Sequence, residues 1–102
     1  MYKLNVSKKA QNQLEQIVQY MMYILLSPQT SNKFADEVEQ KYEKICKNPH
    51  LYPEEYFGYK KYRYAMVGKY IIVFRIDEQT HTVHIIAVGH SRQKRKNIIK
   101  HK

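Results

Sequence analysis

The stretch YRYAMVGKYIIVFRIDEQTHTVHIIAV, residues 62–88, decides the fold. Tyr62, Tyr64 and Met66 alternate with Arg63, Ala65 and Val67, the period of two that belongs to a strand. Gly68-Lys69 follows and can form a tight hairpin turn, with glycine at the first central position. Tyr70 to Ile76 is apolar on both alternating faces, as a central strand requires. Asp77-Glu78-Gln79-Thr80 supplies a second turn, and His81 to Val88 returns as a third antiparallel strand.

The turns set a register. A two-residue turn pairs Val67 with Tyr70, Ala65 with Ile72 and Arg63 with Phe74, and paired residues share a sheet face. A four-residue second turn pairs Ile76 with His81, Phe74 with Val83 and Ile72 with Ile85. One face then collects Ala65, Ile72, Phe74, Val83, Ile85 and Ala87 and reads as the core. The other collects Tyr62, Tyr64, Met66, Ile71, Val73, Arg75, His84, Ile86, Val88 and His90, and its polar tips mark it as the face left open.

Upstream, Tyr2, Leu4 and Val6 alternate with polar residues in a short first strand, and Ser7 can cap a helix. Ala10, Leu14, Ile17, Val18, Met21 and Leu25 recur on one helical face, which must be buried. Ser27-Pro28 ends that helix and starts a second, whose stripe is Ala35, Val38, Tyr42 and Ile45; Asn48-Pro49 stops it. His50 to Tyr59 reads as an ordered loop, and Ser91 can open a short last helix carrying Ile98 and Ile99. The expectation is one α+β domain, residues 1–102, ordered β-α-α-β-β-β(-α). A helical hairpin packs on one face of a small antiparallel sheet, and residues 91–102 form a basic tail.

Eighteen lysines and arginines against nine acidic residues give a formal charge of +9 and a pI near 9.6. That field favours polyanionic partners, and nucleic acid, the ribosome and an acidic protein all satisfy it. No window reaches the roughly 18 apolar residues of a membrane helix, and no cleavable leader pattern opens the sequence, so a cytoplasmic protein is expected. Cys46 is the single cysteine; it closes an apolar stripe without metal-ligand spacing and reads as an inert buried thiol. No metal and no cofactor is expected.

The open face has a chemistry of its own. Tyrosines can stack on bases, arginine can contact phosphate and histidine can exchange protons near neutral pH. Cleaving RNA through its own 2'-hydroxyl needs a base, an acid and a cation at the phosphate, which makes His90, His84, Arg75 and Arg63 the catalytic candidates. The plainer alternative is a half-exposed sheet, where tyrosine is simply a good strand residue. His50 in a loop, His81 at a turn and His101 in the tail read as solvated, and His81 and His84 point to opposite faces and cannot share a metal. Tyr62, Tyr64, Arg92, Lys94, Arg95 and Lys96, with Lys100 and Lys102 beyond them, form the partner or nucleic-acid surface.

The order strand, helix, helix, three strands, basic tail resembles the RelE/ParE toxin superfamily over nearly the whole chain. The text agrees in the opening YKLNVSKKAQNQLEQIVQYM, the corner SP, FADEVEQKYEKICKNPHLYP, GKYIIVFRIDE and VHIIAVGHSRQKRKNII. The resemblance implies the toxin of a type II toxin-antitoxin system, neutralised by an acidic antitoxin whose segment lies over the helices and sheet. The long helices are more similar to the ParE branch, known as inhibitors of DNA gyrase, than to the ribosome-dependent mRNA endonucleases of the RelE branch. RelE-type members usually place an arginine where this chain has Ile71, and an acid-base residue near the C-terminus. Arg92 to Lys102 contains no tyrosine, although His90 can substitute. Three readings stay open: a gyrase-binding toxin without chemistry, a metal-independent endoribonuclease, and a non-toxic nucleic-acid-binding module.

Overall fold

The computed structural model describes residues 1–100, the side chain of Lys100 excepted; the expectations for His101 and Lys102 lie outside the described residues. Strand β1 (Lys3–Val6) leads into α1 (Lys8–Gln19), a π-helical turn (Tyr20–Ile24) and α2 (Pro28–Lys47). Strands β2 (Glu54–Phe57), β3 (Lys60–Val67), β4 (Tyr70–Asp77) and β5 (Thr82–His90) follow, and then α3 (Arg95–Lys100). The five strands form one sheet in the order β1-β5-β4-β3-β2.

The helices start where their caps predict. The Ser7 hydroxyl accepts from Ala10 N–H at 3.0 Å, Ser27 accepts from Thr30 N–H at 3.3 Å, and Pro28 sits in the first turn of α2. Ala10, Phe34, Val38 and Ile45 meet Ala65, Ile72, Phe74, Val83 and Ile85 in the main core, with Cys46 buried among them. Leu25 departs from the expected stripe and is 52% exposed. The π turn widens the helix just before it, so the face can no longer continue.

Two strand expectations are corrected. The sheet is mixed, because β1 lies parallel to β5, Lys3 opposite Thr82 and Val6 opposite Ile85; the long connection that a parallel pair needs runs through the helical hairpin and the three intervening strands. Residues 54–57, read as loop, form β2. Gly58, at φ +64°, turns this segment back on β3, so that Glu54 opposes Arg63 and Phe57 opposes Lys60. The cross-strand Glu54–Arg63 ion pair, 3.3 Å, adds support that alternation alone does not reveal.

The β3–β4 register is the expected one, Val67 with Tyr70 and Arg63 with Phe74, around Gly68 at φ +57°. The β4–β5 register differs: Ile76 opposes Val83 and Phe74 opposes Ile85. The turn sits one residue later, since Asp77 accepts from the N–H groups of Gln79 and Thr80 at 3.1 and 3.3 Å and His81 takes φ +55°. A partner shift of two keeps every side chain on its face.

A β-bulge then reverses the outcome for the upper half of β5. Phe74 opposes Ile85 but Val73 opposes Ala87, leaving Ile86 as the extra residue. Ala87, expected in the helix-covered core, lies instead in a second cluster with Tyr62, Tyr64, Ile71, Val73 and Ile98. Val88, expected on the open face, packs in the main core.

Candidate functional site

The second sheet face is closed over part of its area. Ile98 of α3 is 1% exposed and lies on Tyr62 and Tyr64, which are 7% and 5% exposed. Arg95 holds the lid: its guanidinium lies 4.5 Å from the Tyr64 ring centre and 3.1 Å from Glu55 of β2. Gly89 makes room for it, because a Cβ there would stand 2.7 Å from Ile98 Cγ1. Burial pushes the Tyr64 hydroxyl pKa up, and Glu55 adds to the rise. The expected stacking platform of Tyr62 and Tyr64 is therefore covered by the chain's own last helix. Met66, Arg75, His84 and Ile86 remain exposed or half-buried on that face.

The four residues expected to share one phosphate do not converge. Arg75 and His84 oppose each other on β4 and β5. Asn5 Nδ2 lies 2.8 Å from His84 Nδ1, and Nε2 of the same ring is on the side of Asp77, whose Oδ2 lies 4.0 Å away. Hydrogen bonds from Thr80, chiefly, hold Asp77 below the ordinary carboxylate range, with a smaller contribution from His84. Arg63 lies on the other face, where its guanidinium donates to the carbonyls of Tyr52, 2.7 Å, and His50, 3.4 Å, besides pairing with Glu54. It ties the 50–54 segment to the sheet.

His90 stands six residues beyond His84 along β5, about 20 Å for extended chain. The bulge aims it at the helix side, where it opposes Tyr70 with ring centres 5.2 Å apart. Its Nδ1 accepts from Arg92 N–H at 3.1 Å, and its own N–H donates to Gln93 Oε1 at 3.0 Å. It lines a cavity of about 310 Å³ with Gln16, Tyr20, Tyr70 and Asn97. His90 was expected on the open face; the extra residue Ile86 is why it is elsewhere.

Two surfaces follow. A groove of about 690 Å³ at the lower end of the sheet gathers Lys60, Lys61, Arg63 and Arg75, with Glu54 and Glu78 at hand. At the upper end Arg92, Lys94 and Lys96 are all exposed. Between them the upper edge of β5, which β1 does not reach, is covered by side chains: Ser7 donates to Ile86 C=O at 3.0 Å and Gln13 accepts from Val88 N–H at 2.8 Å. Gln13 also donates to Ile98 C=O, 3.3 Å, and Lys9 to Ile99 C=O, so α1 grips α3 directly.

One cluster escaped the sequence reading. The Tyr2 hydroxyl donates to Glu78 at 2.7 Å, His50 Nε2 lies 3.3 Å from the same carboxylate, and the Tyr2 ring stacks on His81 with centres 3.8 Å apart. The Tyr2 bond is the largest cause of the lowered Glu78 pKa. Residues so far apart in sequence share no motif that could have announced the contact.

A basic chain with a helical hairpin on one face of a mixed sheet, β1 beside β5 and a short C-terminal helix over the back, has the architecture of the small toxins of toxin-antitoxin pairs. A solved toxin-antitoxin complex, RelBE2 from Mycobacterium tuberculosis, contains such a chain: it aligns with a TM-score of 0.63 at 22% identity, covering 87% of this chain and 90% of that one. That likeness shows the fold. Residues 4–95 match the family described as ParE toxin of type II toxin-antitoxin system, parDE. The chain belongs to that family, and is a type II toxin of the ParE/RelE kind. No curated protein matches it closely. Among the described residues no helix is long and apolar enough to cross a membrane.

Proposed function

We propose that this toxin, residues 1–102 acting as one domain with the basic tail 91–102, inhibits growth by gripping an essential target without chemistry of its own. DNA gyrase is the proposed target and an acidic antitoxin the proposed antagonist. The separation of His90, at the other end of β5 and aimed at the helix side, from Arg75, His84 and Arg63 carries the reading. Base, acid and cation must meet around one phosphate for RNA cleavage, and these four do not. Ile71, at the place where RelE-type enzymes carry an arginine, is 2% exposed inside the second cluster. The exposed cations Arg92, Lys94 and Lys96 supply a contact surface for an acidic partner. Supercoiling by purified gyrase at saturating toxin tests the proposal; undiminished supercoiling would refute it.

A second reading rests on Arg75 and His84. They are cross-strand neighbours on the uncovered part of the second face, so a cation and a proton-exchanging ring do sit side by side. Primer extension on translated message tests a ribosome-dependent endonuclease there. Cleavage lost in both Arg75→Ala and His84→Ala supports it; intact message with the unsubstituted toxin excludes it.

A further inference from the structure

Residues 16–32 contain no charged side chain, in a chain that is 26% charged. In the fold this segment is the tip of the helical hairpin. Tyr20, Tyr23, Ile24, Leu25 and Leu26 are 48%, 68%, 67%, 52% and 78% exposed there. Two unfavourable backbone features hold them outward. Leu25 N–H bonds to Tyr20 C=O, 3.1 Å, closing the wide π turn, and Leu26 sits at φ +50°, a left-handed conformation that L side chains rarely adopt. A contiguous apolar patch kept in water by strained backbone marks an interaction surface.

A recess adjoins the tip. Its volume is about 300 Å³; Met21, Phe34, Val67 and Tyr70 supply its apolar walls, and Lys33, Glu37 and Lys69 its charges. A protrusion and a recess side by side on one surface become mutually complementary across a two-fold axis. Charge bears on the occupant. The tip itself carries no charge, so it offers an acidic partner no cation and a second +9 chain meets no repulsion at the protrusion, while in the recess Glu37 offsets one of the two lysines. Across the two-fold, Glu37 of one copy can meet Lys33 or Lys69 of the other. The five side chains offer roughly 600 Å² per copy, so roughly 1,200 Å² in total, the lower end of what specific interfaces bury.

We infer that the hairpin tip is a self-association surface, each copy seating Ile24 and Leu26 in the recess of a second copy to give a reversible two-fold dimer. The inference does not depend on what the toxin targets. It is tested by sedimentation velocity on the full chain from about 1 to 200 µM, the span in which an interface of this size dissociates. A monomer–dimer equilibrium is expected, with more dimer in about 0.5 M salt than in 0.05 M, since salt screens the repulsion between cationic copies. Leu26→Gly removes the side chain and the left-handed strain together, so its melting temperature should equal or exceed the parent's while association weakens at least about tenfold. Ile24→Lys should be folded and monomeric throughout.

A monomer at every concentration and salt, or dimers that persist unchanged in both variants, would overturn the inference. So would a monomeric parent chain that binds a purified acidic antitoxin in a manner lost in Ile24→Lys, because the tip would then belong to such a partner.

Discussion

The two faces of the sheet are closed by different means. On one, α1 and α2 bury Ile72, Phe74, Val83 and Ile85 completely, through side chains from both helices. On the other, six residues of α3 cover Tyr62, Tyr64 and Val73, held by one buried isoleucine, an Arg95–Glu55 pair whose side chains are about half exposed, and the side-chain grip of Gln13 and Lys9. The first closure is the hydrophobic core. The second is a latch whose contacts are few, so it should open at lower free energy than the domain unfolds. Opening it would return two tyrosines to the cationic surface where the sequence placed them.

The comparison breaks first at Phe74. Phe74→Ala leaves a cavity under both helices and should cost about 4 kcal/mol in urea unfolding, a large part of a small domain's stability. A loss near that found for latch substitutions would mean the faces are equivalent. Tyr42 tests the same core through pH. Burial, with a smaller push from Glu39, raises its hydroxyl to about 12. The fold favours the neutral phenol, so this contribution is intact below pH 10 and is lost as pH climbs toward 12. Tyr42→Phe should remove that loss, roughly 2 kcal/mol at the top of the window, when the two proteins' unfolding is compared from pH 9 to 12.

The latch should respond more gently. Gly89→Ala forces Ile98 aside and should cost about 1–2 kcal/mol, while amide exchange in α3 accelerates and that of α1 stays protected. Equal acceleration in both helices would merge the two closures into one unit. Arg95→Ala removes a half-exposed ion pair and a ring contact, at most about 1 kcal/mol. Its signature is roughly fivefold faster exchange at Ile98, and unchanged exchange there would show that Arg95 does not hold α3.

Most of the architecture was legible because it is local. Strand alternation in 62–88, Gly68 in the tight turn and the serine caps each act within a few residues, and the helical stripes recur along one segment. Ile86 was not legible: a bulge adds one residue to a strand whose apolar run, Ile85 to Val88, satisfies either face, so alternation could not place His90. Nor could composition reveal β2, since Glu54-Glu55-Tyr56-Phe57 gains strand character only opposite Lys60 to Arg63. The candidate site depended on both, which is why residues gathered on one face by alternation are spread over two faces in the structure. The parallel edge and the Tyr2–Glu78–His81 contacts are between residues more than seventy positions apart, beyond any window of pattern.

That parallel edge also ties folding to synthesis. Lys3 pairs with Thr82, so at roughly 5–20 residues per second the first strand waits about 4–16 s for a partner that has yet to be translated. During the wait the residues of the helical hairpin lack the sheet that buries their apolar stripes. The sheet is thus completed only when nearly all of the described chain has been made, several seconds after its first strand leaves the ribosome.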